Sequence, residues 1–144
     1  MLELNHIQKA FDGVQVLKDI SLKVEDGEIV SILGPSGCGK TTLLNLILGI
    51  VDADSGQIIY NGEDLTNTPM QKRGFNIVFQ DYALFPNLNV RQNITYGLKN
   101  CPDISSESEV EELIDLLGLS EHLDKRIDQL SGGQKQRTAL ARTM

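Results

Sequence analysis

The sequence has no tryptophan, only two cysteines and four prolines in 144 residues, and 5% aromatics. Cys38 and Cys101 are too few for a disulfide framework, which points to the cytosol. In that compartment the sequon Asn93-Ile94-Thr95 carries no meaning, since glycosylation needs the secretory route. Basic residues are in deficit, 13 against 20 acids, for a net charge of -7. That balance excludes non-specific nucleic-acid binding, which needs Lys and Arg to displace counterions. No long hydrophobic run exists. The longest, Leu43 to Val51, is broken by Asn45 and Gly49 and falls far short of the ~20 residues that span a bilayer. Met1-Leu2-Glu3-Leu4 offers no basic n-region, so no secretory signal is expected. Internal repeats, low-complexity segments and linkers are also missing.

What is present is ordinary globular composition: 40% hydrophobic residues and 13 glycines. The length suits about one domain, burying roughly 70% of its extended-chain surface. The acidity is local. Residues 101–130 hold nine acids and two bases, while residues 131–144 hold three bases and no acid.

Alternating apolar residues predict strands at Leu2 to Ile7, Val14 to Val16 and Ile20 to Val24, with turns at Asp12-Gly13 and residues 25–28. Ile29-Val30-Ser31-Ile32-Leu33 is nearly continuous and β-branched, the pattern of a strand buried on both faces in a parallel sheet. A glycine-rich loop follows, then Thr41 to Leu48, apolar almost all round and read as a buried helix stopped by Gly49. Gln57 to Tyr60 with Asn61-Gly62 reads as a strand and turn, and Phe75 to Phe79 as a second short apolar strand. Ser106 and Glu109 have capping-box spacing. The stripe Val110, Leu113, Ile114, Leu116, Leu117 follows, ending at Gly118, with the acids on a solvated face. A last helix starts at Ser131, with Gln134 completing a box. Ala139, Leu140 and Met144 lie on one side, Arg137 and Arg142 elsewhere.

Two strings carry chemistry. Gly34-Pro35-Ser36-Gly37-Cys38-Gly39-Lys40-Thr41 fits G-x-x-x-x-G-K-[ST] between a predicted strand and a helix. Its glycines let successive N–H groups turn inward as an anion nest, and the helix N-terminus adds about half a positive charge. Lys40 reaches the β- and γ-phosphates of a nucleoside triphosphate, and the Thr41 hydroxyl ligates Mg²⁺. Cys38 is a small filler, with no acid or His near it in sequence to activate it. Leu130-Ser131-Gly132-Gly133-Gln134 opens a second helix end suited to an anion, followed by Lys135-Gln136-Arg137-Thr138-Ala139-Leu140-Ala141-Arg142.

Together these strings resemble the ATP-binding subunits of ABC transporters. Gly34 to Thr42 resembles their Walker A and Leu130 to Gln134 their signature motif. Gln80 is similar to their Q-loop glutamine, and Phe11 to the aromatic that stacks on adenine. Val78-Phe79-Gln80-Asp81-Tyr82-Ala83-Leu84-Phe85-Pro86 further resembles bacterial import subunits for polyamines, iron(III), sulfate or sugars. The resemblance implies an α/β P-loop fold: an N-terminal antiparallel β part, the Walker A strand–loop–helix of a parallel core, and a helical subdomain. Residues 1–89 would form the first parts and 90–144 the last. It implies an ATPase using ATP and Mg²⁺. Phe11 and Val16 would hold the base, and Gly34, Pro35, Ser36, Gly37, Cys38, Gly39, Lys40, Thr41 and Thr42 the phosphates. Thr41 and Gln80 would sit at the metal, with Lys40 and Gln80 catalytic. Ser131, Gly132, Gly133 and Gln134 would close over ATP bound by a second subunit in a head-to-tail dimer. Tyr82, Leu84 and Phe85 would either meet a membrane-spanning permease subunit or serve plain packing. The subunit itself would be cytoplasmic, peripheral on the inner membrane face and without contact to nucleic acid.

After the signature helix the family carries an apolar strand ending in Asp-Glu, then a D-loop and a switch histidine. None occurs here, and His6 and His122 read as ordinary surface or packing residues. The expectation is a fragment of a longer polypeptide that binds MgATP weakly, loses it in Lys40→Ala and does not turn over by itself. Residues 29–33 would then keep unpaired edges and an uncovered face. Two other readings stay open: a non-transport ABC ATPase acting with ribosome or DNA, and a non-catalytic nucleotide-binding remnant. A GTPase would need an Asn-Lys-x-Asp motif, which is missing.

Overall fold

Apolar alternation in the first two dozen residues produces a hairpin. In this computed structural model, which describes residues 1–99 and 105–144, β1 (Leu2–Phe11) pairs antiparallel with β2 (Val14–Val24). They join at Asp12-Gly13, with φ of 49° and 80°, the paired positive angles of a tight hairpin turn. β3 (Ser55–Tyr60) takes the other edge of β1, and β4 (Glu63–Asp64) follows through the Asn61-Gly62 turn. The strand order is β2-β1-β3-β4, antiparallel throughout. A bulge between Leu4 and Ile7, with His6 at φ 54°, breaks strict alternation and lets both apolar residues face inward. His6 stays outside, 2.8 Å from Asp19 Oδ1. Cys101 lies outside the described residues.

Onto this sheet packs α1 (Lys40–Leu48). Leu43 and Leu46, three apart, join Leu4, Ile7, Leu17 and Ile58 in one buried cluster. Gly49 ends the helix at φ 76°, its N–H bonded to the carbonyls of Asn45 and Leu46. The left-handed angle there suits glycine, as the stop signal predicts. The all-round burial read from sequence is not observed: Leu44 is exposed, turned about 100° and 200° around the helix from the buried Leu43 and Leu46.

Two predicted strands do not form. Residues 28–35 enter no ladder, and Ile29 and Leu33 are 94% and 89% exposed. Phe75 to Phe79 is likewise unpaired, with Val78 and Phe79 exposed. An apolar β-branched run becomes a strand through neighbours on its edges and faces, not through intrinsic backbone preference. Among the described residues Ile32 packs on the first core cluster and Phe75 meets Tyr60, but neither run has a strand on either edge.

The chain divides into two compact units, Met1–Phe75 and Asn76–Met144. The second is helical. α2 (Val90–Ile94), α3 (Glu107–Leu116) and α4 (Gly132–Thr143) surround a cluster of Val90, Ile94, Val110, Ile114, Leu119, Leu130 and Ala141. Each helix opens with a reciprocal capping box: Asn89 with Gln92, Ser106 with Glu109, Ser131 with Gln134. Two stripe assignments are corrected. Leu116 is 80% exposed, because six residues past Val110 turn it about 240° around the helix. In α4 the buried residues are Thr138, Ala139 and Ala141, while Leu140 and Met144, four apart on the opposite face, are exposed. No helix among the described residues is long and apolar enough to cross a membrane.

Candidate functional site

The glycine-rich loop closes on itself around Lys40. Its Nζ donates to the carbonyls of Gly34 and Pro35, each at 2.8 Å, and lies 3.7 Å from Cys38 Sγ. Cys38 is exposed, and its sulfur lies close to Gly34: a Cβ there would stand 2.7 Å from it. Gly39 is the N-cap of α1 at φ 96° and brings no side-chain cap. A Cβ there would meet Leu17 Cδ2 at 2.8 Å and Val16 Cγ1 at 3.1 Å, so only glycine lets the loop lie against β2. No acidic residue occupies the first turn of α1, so its N-terminal dipole is left for an external anion.

The same β-hairpin carries the aromatic candidate. Phe11, 44% exposed, ends β1 opposite Val14, and Lys9 Nζ lies 5.3 Å from its ring centroid. Lys9 is fixed in turn by Asp54, whose Oδ1 accepts from Lys9 Nζ at 2.7 Å and whose Oδ2 accepts from the Ala10 N–H at 2.7 Å. The lysine bond, then the Ala10 bond, hold the Asp54 carboxyl below its ordinary range. Val16, Gly34, Pro35, Cys38, Gly39 and Lys40 are thus brought together in the first unit.

Gln80 and Leu130–Gln134 belong to the second unit. Gln80 is exposed, and the segment after it passes through two consecutive left-handed residues, Tyr82 at φ 65° and Ala83 at φ 43°. Arg142 of α4 holds this segment, donating to Ala83 O at 2.6 Å and Tyr82 O at 3.3 Å, and stacks over Phe85 at 5.3 Å. Burial lowers the Arg142 pKa from its ordinary value. Asn93 completes the anchoring: fully buried, it accepts from the Phe85 N–H and donates to the carbonyls of Phe85, Leu88 and Asn89. At α4, Ser131 Oγ accepts the Gln134 N–H and Gln134 Oε1 accepts the Ser131 N–H. Ser131, Gly132 and Gly133 are exposed. Tyr82 Oη lies 3.8 Å from where a Gly132 Cβ would stand.

Residues 17–144 match the family model described as ABC transporter. The chain belongs to that family. It is 48% identical to the spermidine/putrescine import ATP-binding protein PotA of Fusobacterium nucleatum, over 99% of this chain and 39% of the relative. For the protein of that name from Spiroplasma citri the identity is 51%, over 100% of this chain and 42% of the relative. For that of Thermotoga maritima it is 47%, over 99% and 39%. The chain therefore spans about two fifths of the length of the curated relatives it matches. Both the glycine-rich loop and the Leu130 string lie within the matched residues.

Sequence reading gave no role in these segments to four residues that the structure shows bonded to them, and took His122 for an ordinary surface or packing residue. Arg73 reaches the C-terminus of α1, Asp54 braces the strand end bearing Phe11, Asn93 holds the segment after Gln80, and His122 contacts Gln134. Only Asn93 carried any local signal, four residues past Asn89 on a short capped helix. The others act across long sequence separations.

Proposed function

We propose that this chain is the nucleotide-binding portion of an ATP-hydrolysing subunit that drives solute import through membrane-spanning permease partners. The observation that supports it most is the Walker A loop, with Lys40 Nζ poised on two carbonyls at 2.8 Å above an uncapped helix N-terminus, in a chain of the ABC family. On binding, the β- and γ-phosphates of ATP replace those carbonyls as acceptors for Lys40. Each charge-assisted bond contributes roughly 1.5–3 kcal/mol. Phe11 offers the adenine an exposed aromatic face. Thr41 is proposed as a hard oxygen ligand of Mg²⁺, which takes one or two protein ligands and completes its shell from phosphate and water, and Gln80 as the other. The metal, when bound, neutralises charge on the β- and γ-oxygens. Ser131, Gly132 and Gly133 present the N-terminus of α4 to the γ-phosphate held by a second subunit, in a head-to-tail dimer. The segment from Tyr82 to Phe85 meets the permease, and the subunit sits on the inner face of the membrane without entering it.

The named relatives import spermidine and putrescine, and a polyamine is the solute proposed here. The test uses the full-length protein co-expressed with its permease subunits in inverted vesicles. ATP-driven spermidine transport that vanishes with Lys40→Ala is the expected result. Hydrolysis without polyamine transport would refute the solute, and no hydrolysis by the assembled complex would refute the ATPase.

A further inference from the structure

The signature motif makes one contact that nucleotide closure does not account for. The side-chain amide of Gln134 is tied at both ends. Its Oε1 lies 2.9 Å from the Ser131 backbone nitrogen. A backbone N–H only donates, so that amide atom is the oxygen and the other is the NH₂. The NH₂ lies 2.8 Å from His122 Nε2. It has no lone pair to offer, so His122 Nε2 is the acceptor and the ring proton sits on Nδ1. Nδ1 is buried and has no hydrogen-bond partner among the described residues. The fold thus leaves one ring nitrogen unsatisfied while the other is committed to Gln134, against the general rule that buried polar groups are paired. His122 is itself held in place: its N–H donates to Leu119 O at 2.8 Å and its carbonyl accepts from Lys125 N at 3.0 Å, between Leu119 and Leu123 of the helical core.

We infer that His122 is a positioning residue for the signature motif, acting through the Gln134 amide. This rests on the proposed role of Ser131–Gln134 in closing over a second subunit's nucleotide. The Ser131 N–H sets the amide orientation, and His122 Nε2 takes up the NH₂ that this orientation turns away from the cap, so the amide is held at both ends. Turning the amide over would set NH₂ against the Ser131 N–H and open the reciprocal cap on which the mouth of α4 depends.

Two substitutions separate positioning from packing. His122→Leu keeps much of the apolar volume and removes the acceptor. His122→Gln returns a carbonyl oxygen near the Nε2 position. In the full-length protein assembled with its permease subunits, His122→Leu is expected to lower kcat for ATP about tenfold, the scale of a lost cap, with KM changed less than about twofold. His122→Gln should restore turnover. In ¹⁵N spectra of the full-length protein, His122 should show the Nδ1–H tautomer. The Ser131 amide signal should move in His122→Leu and return in His122→Gln. Equal losses in both variants, an unmoved Ser131 signal, or the Nε2–H tautomer in the wild type would overturn the inference. If the wild type does not hydrolyse ATP, the functional reading fails. The tautomer and the Ser131 signal then still decide the positioning role. If His122→Leu does not fold, the wild-type tautomer and the Ser131 signal of His122→Gln decide it.

Discussion

Removing the Arg73 side chain should cost the first unit a large part of its stability, and the structure shows why. Arg73 is 3% exposed. Nε donates to Thr68 O at 2.6 Å, Nη1 to Leu46 O at 2.8 Å and Ile47 O at 3.1 Å, and Nη2 to Thr66 O at 3.1 Å. Two of these carbonyls end α1, where a helix leaves its last C=O groups without partners and the dipole favours a cation. Burial lowers the Arg73 pKa, opposed by the field of Asp52. A bare sum of four charged hydrogen bonds would overstate the loss, because removing the guanidinium also removes its desolvation cost. What remains is the cost of buried carbonyls left without a partner, about 1–3 kcal/mol for each that finds none, against roughly 5–15 kcal/mol for a whole domain.

Gly49 supplies the internal control. A methyl there would stand 2.5 Å from Arg73 Nε on a backbone at φ 76°. Gly49→Ala therefore costs about 1–2 kcal/mol in backbone strain and also displaces Arg73. In an Arg73→Met background only the strain remains, so the two losses should fall short of additivity by about 2 kcal/mol. Urea denaturation followed by far-UV circular dichroism measures this, since the described chain has no tryptophan for fluorescence. Losses that add within about 0.5 kcal/mol would refute the coupling.

Three further outcomes follow from the same geometry. Asn93→Ala should cost about 2–4 kcal/mol by leaving the Phe85 N–H and the Leu88 carbonyl unpaired, and hydrogen exchange at Phe85 should speed up with it. Gly34→Ala should weaken MgATP binding by pressing on Cys38 Sγ, and Cys38→Ala in the same chain should restore it; calorimetric titration that finds no rescue would contradict the loop packing. Asp54, Asp64 and Glu109 have carboxyl pKa values lowered by Lys9 and Ala10, by Thr66, and by the Ser106 N–H and hydroxyl respectively. Their contribution is complete above the ordinary carboxyl range and is lost as pH falls through the lowered values. Melting temperature should therefore drop below about pH 4, with a shallower drop in a variant carrying Asp54→Asn, Asp64→Asn and Glu109→Gln.

Local signals were legible in the sequence where the causes are local. Capping boxes at Ser106 and Ser131, the Gly49 stop and the Asp12-Gly13 turn each depend on residues within a few positions, and the structure has all of them. The helix after the glycine-rich loop was equally legible, because the loop glycines and the apolar run that follows them are contiguous. Ile29 to Leu33 and Phe75 to Phe79 were misread as strands because strand formation is a property of neighbours. Leu116 was placed on the buried stripe because counting apolar residues ignored its angular position. The bonds of Arg73 went unread, and His122 was read as an ordinary surface or packing residue, for another reason. Each works on a partner 26 or 27 residues away in one case and 12 in the other, a separation that no helical or strand period reports.

The central claim is that Gly34–Thr42 holds the phosphates of a nucleoside triphosphate through Lys40. Calorimetric titration of MgATP into the full-length protein tests it most directly, beside Lys40→Ala and with circular dichroism to show that the variant is folded. The account predicts saturable binding by the wild type and loss of at least about 1.5 kcal/mol, more than tenfold in affinity, in the folded variant. Equal affinity in both proteins, or no binding by the wild type, would contradict it.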